Sequence, residues 1–245
     1  MNENELLRKR FAELHDRAVS RGIWTYSDFL SLAEKSELLS LRLDFTSLCG
    51  GYASAERRMA CFGGEDICGY EGAPPIACVK IEPVNKKFSD DLNHRDFLGA
   101  VMATGIDRAV LGDVLVRDNT AWVFCRDDIA DYIASSVDSV RRTTVKCSVS
   151  EPPDFINEAP PISQVAAASE RLDAVISGVY GMSRSESRQL VEGGRVFIDG
   201  RLCQAPSAEI KSGVIISVRG TGRFKYEGIE KLTRSGRIRL LVRKY

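Results

Sequence analysis

Apolar positions in the first 73 residues recur at helical spacing. Leu6, Leu7, Phe11, Leu14 and Ala18 fall three or four apart within 5–19, which predicts an amphipathic helix ended by Gly22. A second helix is expected from Thr25 or Ser27, either hydroxyl serving as its cap, with Phe29, Leu30, Leu32 and Ala33 turned inward. The run Cys49-Gly50-Gly51-Tyr52-Ala53-Ser54-Ala55-Glu56-Arg57-Arg58 reads as a glycine turn feeding a further short helix. It lacks the lysine of a phosphate-binding loop. Residues 1–73 are therefore expected to be mainly helical.

From 74 to 150 the period changes. The runs 76–81, 111–116, 121–125 and 143–149 predict strands, while 95–104 and 127–140 predict helices. The order strand, helix, strand, strand, helix, strand is that of a ferredoxin-like (RRM-like) plait, with two helices on one face of a four-stranded sheet. Glu151-Pro152-Pro153 and Pro160-Pro161 interrupt regular structure, so 151–168 is expected to be a linker and 169–245 a small separate domain. The fold class is α+β.

Composition narrows the chemistry. The chain has 245 residues, enough for two or three small domains, and no apolar run long enough to span a bilayer. Its first ten residues are charged, unlike a signal peptide, and a cytoplasmic protein without membrane partners is expected. Cysteines stand at 49, 61, 68, 78, 125, 147 and 203, never as Cys-x-x-Cys, and the histidines are His15 and His94 alone. Neither a disulfide framework, a metal site nor a cofactor is expected. Net charge is zero, yet residues 169–245 hold 15 Lys/Arg against 8 Asp/Glu, a net +7 that leaves −7 on the rest. Such a division marks a basic binding module on an acidic body.

Within that module Ser183 is placed to cap a helix, and Arg184 and Arg188, four residues apart, share one of its faces with phosphate-binding chemistry beside Ser185 and Gln189. Asp199-Gly200 is a hairpin-turn dipeptide that closes a strand at 196–198, with a second strand at 214–218. The small sheet would carry Arg195, Arg201 and Arg219 around the helix pair, and Arg171 is a further RNA-binding candidate. In Arg219-Gly220-Thr221-Gly222-Arg223-Phe224-Lys225-Tyr226 cations and aromatics alternate, and Arg223, Phe224 and Lys225 are read as a phosphate and base-stacking surface. A basic arm of Arg219, Arg223, Lys225, Lys231, Arg234, Arg237 and Arg239 would bridge two RNA elements. The triplet His94-Arg95-Asp96 is expected to open a helix, with Asp96 favoured by its dipole, and to carry no catalysis.

The ordered run Arg171-Leu172-Asp173, Met182 to Val191, Gly193-Gly194-Arg195-Val196-Phe197-Ile198-Asp199-Gly200 resembles the S-four RNA-binding domain. Asp199 and Val214 depart from its usual asparagine and aspartate, both at turns. The resemblance extends to Gly50-Gly51-Tyr52, to Ala55-Glu56-Arg57-Arg58, to Asn93 to Ala100, to Thr104 to Arg108, to Leu111-Gly112-Asp113 and to the ending 231–245, which together are similar to the YlmH family. That resemblance implies a factor bound to ribosomal RNA and tRNA on the large subunit after translation has stalled, and a link to cell division; a monomer is expected. The competing classes are an RNA-modifying enzyme, either pseudouridine synthase-like through Arg171-Leu172-Asp173 or methyltransferase-like, and a cell-division adaptor.

Overall fold

The computed structural model describes residues 3–157, 160–232 and 238–244. The chain forms two compact units, Met1–Glu158 and Ala159–Tyr245.

Unit 1 opens with α1 (Glu3–Arg21), β1 (Thr25–Leu30), α2 (Leu32–Leu41), β2 (Thr46–Cys49), β3 (Arg58–Phe62) and the single turn α3 (Glu65–Cys68). Two sequence expectations fail here. The helix expected from Thr25 is a strand, and the one expected before Arg58 is a turn running into a strand; β1, β3 and β2 form an antiparallel sheet. The hydroxyls read as caps are spent on tertiary bonds: Thr25 Oγ1 donates to the Leu14 carbonyl (2.8 Å) and Ser27 Oγ accepts from the Ala60 amide (2.8 Å). The helix begins seven residues later than the first candidate cap, with Ser31 and Glu34 in a reciprocal capping box. Phe11, Ala18, Leu30, Leu38, Ala60 and Phe62 form the core between α1, α2 and this sheet.

The chain continues through β4 (Ile76–Pro83), α4 (His94–Ala103), β5 (Leu111–Arg117), β6 (Thr120–Arg126), α5 (Ala130–Ser136), β7 (Ser139–Val140) and β8 (Thr143–Val149). The sheet order β5-β6-β4-β8-β7, antiparallel throughout, interleaves the two strand–helix–strand halves as a split βαβ plait does. Val79, Ile81, Val123 and Val145 on one face pack against Phe97 and Val101 of α4 and Ile133 of α5. The second helix is shorter than expected, because Val137 leaves the helical region and the chain makes a hairpin whose turn holds Arg141 at φ 54°. Asn93 caps α4, its side chain accepting from the Arg95 amide (2.9 Å) while Asp96 returns a bond to the Asn93 amide (3.0 Å). His94-Arg95-Asp96 is thus a helix start.

Unit 2 contains β9 (Ile162–Ala167), α6 (Leu172–Tyr180), α7 (Arg184–Glu192), β10 (Val196–Ile198), β11 (Arg201–Leu202), β12 (Ile215–Val218), β13 (Gly222–Leu232) and β14 (Ile238–Lys244). Its sheet runs β11-β10-β12-β13-β14-β9. The expected linker 151–168 is not plain linker: Asp154–Asn157 makes a helical turn and 162–167 pairs with β14 as an edge strand. Likewise the segment read as a basic arm is a hairpin of β13 with β14, while Arg234 and Arg237 lie outside the described residues. Asp199 and Gly200 both sit at positive φ (47° and 78°), as a two-residue hairpin turn requires, and Asp199 Oδ1 accepts from the Ile215 amide (2.9 Å).

Candidate nucleic-acid interface

Period-two alternation in β10, β12 and β13 decides which side chains of unit 2 reach solvent. Val196 pairs with Val218, and Ile198 with Ile216, which pairs with Phe224; this face packs on α6 and α7 with Leu172, Ile176 and Val191. Phe224 and Tyr226 are fully buried there, so Phe224 is a core residue and not a base-stacking one. The Tyr226 hydroxyl bonds Glu170, and burial followed by that carboxylate pushes its pKa up. The other face places Phe197 beside Ser217 and Ser217 beside Arg223. Arg223 Nε donates to Ser217 Oγ (3.2 Å), and Lys225 pairs with Glu227 (3.2 Å).

Arg195 and Arg219 meet at the end of this sheet, where the Arg219 amide donates to the Arg195 carbonyl (2.8 Å). Gly220 follows at φ +83°, and a Cβ there would lie 2.9 Å from Arg195 Nη2, so glycine lets the guanidinium cross the backbone. The Arg219 guanidinium lies 4.4 Å from the centroid of Phe197, a cation–π contact that sequence reading missed. Phe197 sits next to core residues in sequence, and only alternation would have turned it outward. Arg201 is exposed on β11. Between α7 and Arg195 runs a groove lined by Met182, Glu186, Gln189, Leu190 and Arg195. Ser185, Arg188 and Gln189 are exposed on α7.

Three sequence candidates have structural duties. Ser183 forms a capping box with Glu186, whose pKa is lowered by the bonds from Ser183. Arg171 and Arg184 both bond the carboxylate of Asp173, at 3.2 and 2.9 Å, and Asp173 is only 4% exposed. Burial alone would raise the Asp173 pKa, but the two guanidinium bonds outweigh it and leave it lowered. Arg184 and Arg188 are therefore unlike, since Arg188 pairs with Glu192 (2.7 Å) on the open side of α7.

An experiment separates them. Arg184→Ala should destabilise unit 2 by about 1–2 kcal/mol, discounted for a half-exposed guanidinium, whereas Arg188→Ala should leave its melting transition in place and weaken RNA binding. A carboxylate with a depressed folded pKa stabilises above its unfolded pKa of about 4 and loses that contribution as pH falls through the folded value. The Arg184→Ala deficit should accordingly shrink in acid. Equal melting temperatures for Arg184→Ala and wild type at neutral pH would refute the assignment.

The motifs of unit 1 meet as well, but as a lock rather than a site. Asp113 accepts from the Tyr52 hydroxyl (2.7 Å), the Glu56 amide (2.7 Å) and the Arg57 amide (3.1 Å). Arg57 donates to the carbonyls of Phe29, Arg108 and Leu111. Burial, then the neighbouring Arg57, lowers the Arg108 pKa to about 10. Among the described residues no cluster of His, Cys, Asp and Glu is arranged for a metal ion, and no helix is long and apolar enough to cross a membrane.

Two family models match the chain: residues 75–152 match "Putative RNA-binding domain in YlmH", and residues 170–216 match the S4 domain. The class is thus an RNA-binding protein with an S-four module behind a second RNA-binding domain. The chain thus carries the YlmH-type domain and the S4 domain that its motifs resemble. It is 28% identical over 196 residues to "Ribosome-associated protein quality control protein P2" of Bacillus subtilis, spanning 78% of this chain and 74% of that one. Small ribosomal subunit protein uS4 of Cupriavidus metallidurans is 46% identical over 64 residues, 26% of this chain and 31% of that protein. Among solved structures, "Cell division protein ylmH from Streptococcus pneumoniae" covers 61% of this chain and 92% of its own at 15% identity and a TM-score of 0.49. The match at 75–152 gives an RNA-binding description to a stretch with 10 Lys/Arg and 12 Asp/Glu, which the charge division did not single out.

Proposed function

We propose that this protein is a non-enzymatic RNA-binding factor that acts as a cytoplasmic monomer on the large ribosomal subunit, contacting ribosomal RNA and tRNA when translation has stalled. The observation that carries the reading is the cationic rim of unit 2, where Arg188, Arg195, Arg201 and Arg219 project around α7 and β10 of an S-four domain. Guanidinium groups in such a rim bind phosphates bidentately, and each contact releases counterions. The ribosome enters through the relative in Bacillus subtilis, which is named for ribosome-associated quality control.

Against the enzyme alternative, the aspartate of Arg171-Leu172-Asp173 is buried and held by two arginines, which supports a structural ion pair there over a nucleophile. Sucrose-gradient sedimentation from cells with stalled ribosomes tests the reading. Wild type should travel with the large subunit, and an Arg195→Glu, Arg219→Glu variant should shift toward the top with a shallower salt dependence. Wild type remaining at the top under stalled and normal conditions would sink the ribosomal assignment. RNA crosslinking that yields no RNA would favour the division adaptor instead.

A further inference from the structure

Around the single turn α3, unit 1 presents apolar side chains that its core does not use. Ile23, Phe45 and Tyr70 are exposed there and Ile67 is half-buried. Gly64 lies between two of them, since a Cβ on it would stand 3.5 Å from Phe45 Cδ1 and 4.0 Å from Ile67 Cγ1. A Cβ on Gly22, which precedes Ile23, would stand 3.0 Å from the Ile67 carbonyl, so the end of α1 joins the same strip.

Two of these rings are fixed in place by their backbone. Phe45 has φ 49°, in the left-handed region that sterics make costly for a bulky side chain. Its carbonyl accepts from the Gly63 amide at 2.8 Å, which pins the strained residue while it stays 45% exposed. Tyr70, 52% exposed, is held by Trp24, whose amide donates to the Tyr70 hydroxyl (3.4 Å) and whose indole Nε1 donates to the Tyr70 carbonyl (3.0 Å). Trp24 is itself wedged, because a Cβ on Gly63 or Gly72 would come within 2.8 or 2.5 Å of its ring. Backbone strain persists where the surroundings over-determine it, and it gathers at binding surfaces. Rings already fixed lose little entropy when a partner covers them.

Charge decides what covers the strip. Segments 42–45 and 64–71 hold Asp44, Glu65, Asp66 and Glu71, all exposed, against Arg42; Arg21 stands at the end of α1, and Asp16 and Arg17 cancel a turn earlier. The rim is thus net acidic, in a unit with 19 Lys/Arg and 26 Asp/Glu over 1–158. Such a rim repels RNA phosphates and anionic lipid, and attracts a polypeptide that brings lysine or arginine beside its apolar side chains. We propose that Ile23, Phe45, Ile67 and Tyr70 form a docking surface for a protein partner whose contacting segment is basic and amphipathic. The surface goes beyond the RNA reading, since it uses none of the arginines of unit 2.

The test uses the full chain and, as probe, a fluorescein-labelled peptide of four Leu-Lys-Lys-Leu repeats. Phe45→Asn should lose about tenfold in affinity, while the melting temperature of unit 1 holds or rises, because asparagine accepts a positive φ more readily than phenylalanine. Glu65→Lys with Asp66→Lys should also lose about tenfold and flatten the salt dependence. Two exposed acids elsewhere in unit 1 supply the control: Asp91→Lys with Asp131→Lys should bind as wild type does. A lower melting temperature for Phe45→Asn would mean that the ring serves the fold, and equal losses for the two lysine pairs would mean diffuse charge attraction; either result overturns the proposal. A peptide with glutamate in place of lysine should not bind, and equal binding removes the choice of partner. In cells, p-benzoylphenylalanine in place of Phe45 should crosslink to a lysine- or arginine-rich segment of another protein. Crosslinks to RNA or to a second copy of this chain give the strip to those occupants and overturn the proposal.

Discussion

Phe224→Ala is expected to cost unit 2 about 3–5 kcal/mol, the usual range for emptying a phenylalanine site in a packed core. At roughly 4–8 °C per kcal/mol for a domain of this size, its melting transition should fall by tens of degrees. The site has little room to collapse. Phe224 is fully buried beneath Ile216 and meets Tyr180 edge to face at 5.9 Å, and the rigid hairpin of β13 with β14 fixes its backbone. One residue away on either side, Arg223→Ala and Lys225→Ala should leave the same transition nearly unmoved, because those side chains lie on the opposite face. The readout is thermal unfolding followed by far-ultraviolet circular dichroism, with amide exchange of β12 and β13 to assign the transition to unit 2. A Phe224→Ala protein that melts normally but loses RNA would restore the stacking role that burial removes.

The same segment shows what was legible in the sequence and what was not. Arg223-Phe224-Lys225-Tyr226 alternates cation and aromatic, and alternation is a strand pattern in which the two kinds of side chain part to opposite faces. Reading both kinds as one surface required a loop, and β13 is not a loop. Asp199-Gly200, by contrast, is a local signal and its turn forms as expected, because the positive φ values are set by two neighbouring residues. The plait was legible for a related reason: β4, β5, β6 and β8 are separated by strong turns such as Arg117-Asp118-Asn119-Thr120, whose central residues take φ 51° and 57°.

Residues 25–30 were misread because Phe29, Leu30, Leu32 and Ala33 fit helical spacing over too short a window. Their strand depends on β3, some thirty residues away, which no local pattern announces. Candidate residues divided in the same way. Arg188, Arg195, Arg201 and Arg219 are exposed as expected, but that Arg171 and Arg184 would converge on Asp173 is a fact of how α6 packs against α7. Charge counts along a chain do not distinguish an arginine that faces RNA from one that neutralises its own fold.

Asp113→Ala should produce the other large effect, this time confined to unit 1. The substitution strips the acceptor from the Tyr52 hydroxyl and from the amides of Glu56 and Arg57, and it removes the carboxylate facing two partly buried guanidinium groups. Hydrogen bonds to a charged acceptor contribute about 1.5–3 kcal/mol each, and donors left dry add their desolvation cost, so a loss of roughly 3–5 kcal/mol is expected. Its consequence is geometric as well. Asp113 sits on β5 of the plait while Tyr52, Glu56 and Arg57 belong to the turn before β3, so the lock holds the N-terminal sheet and the plait in one unit. Amide protection should fall together in β1, β3 and β5 and stay unchanged in unit 2, whose RNA binding should persist. A double-mutant cycle makes the assignment sharp. Tyr52→Phe alone should cost about 1 kcal/mol by removing one hydroxyl bond, and almost nothing in the Asp113→Ala background, where that bond is already gone. Additive effects would mean that Tyr52 and Asp113 stabilise the unit independently, and that the bond between them is not what joins its two halves.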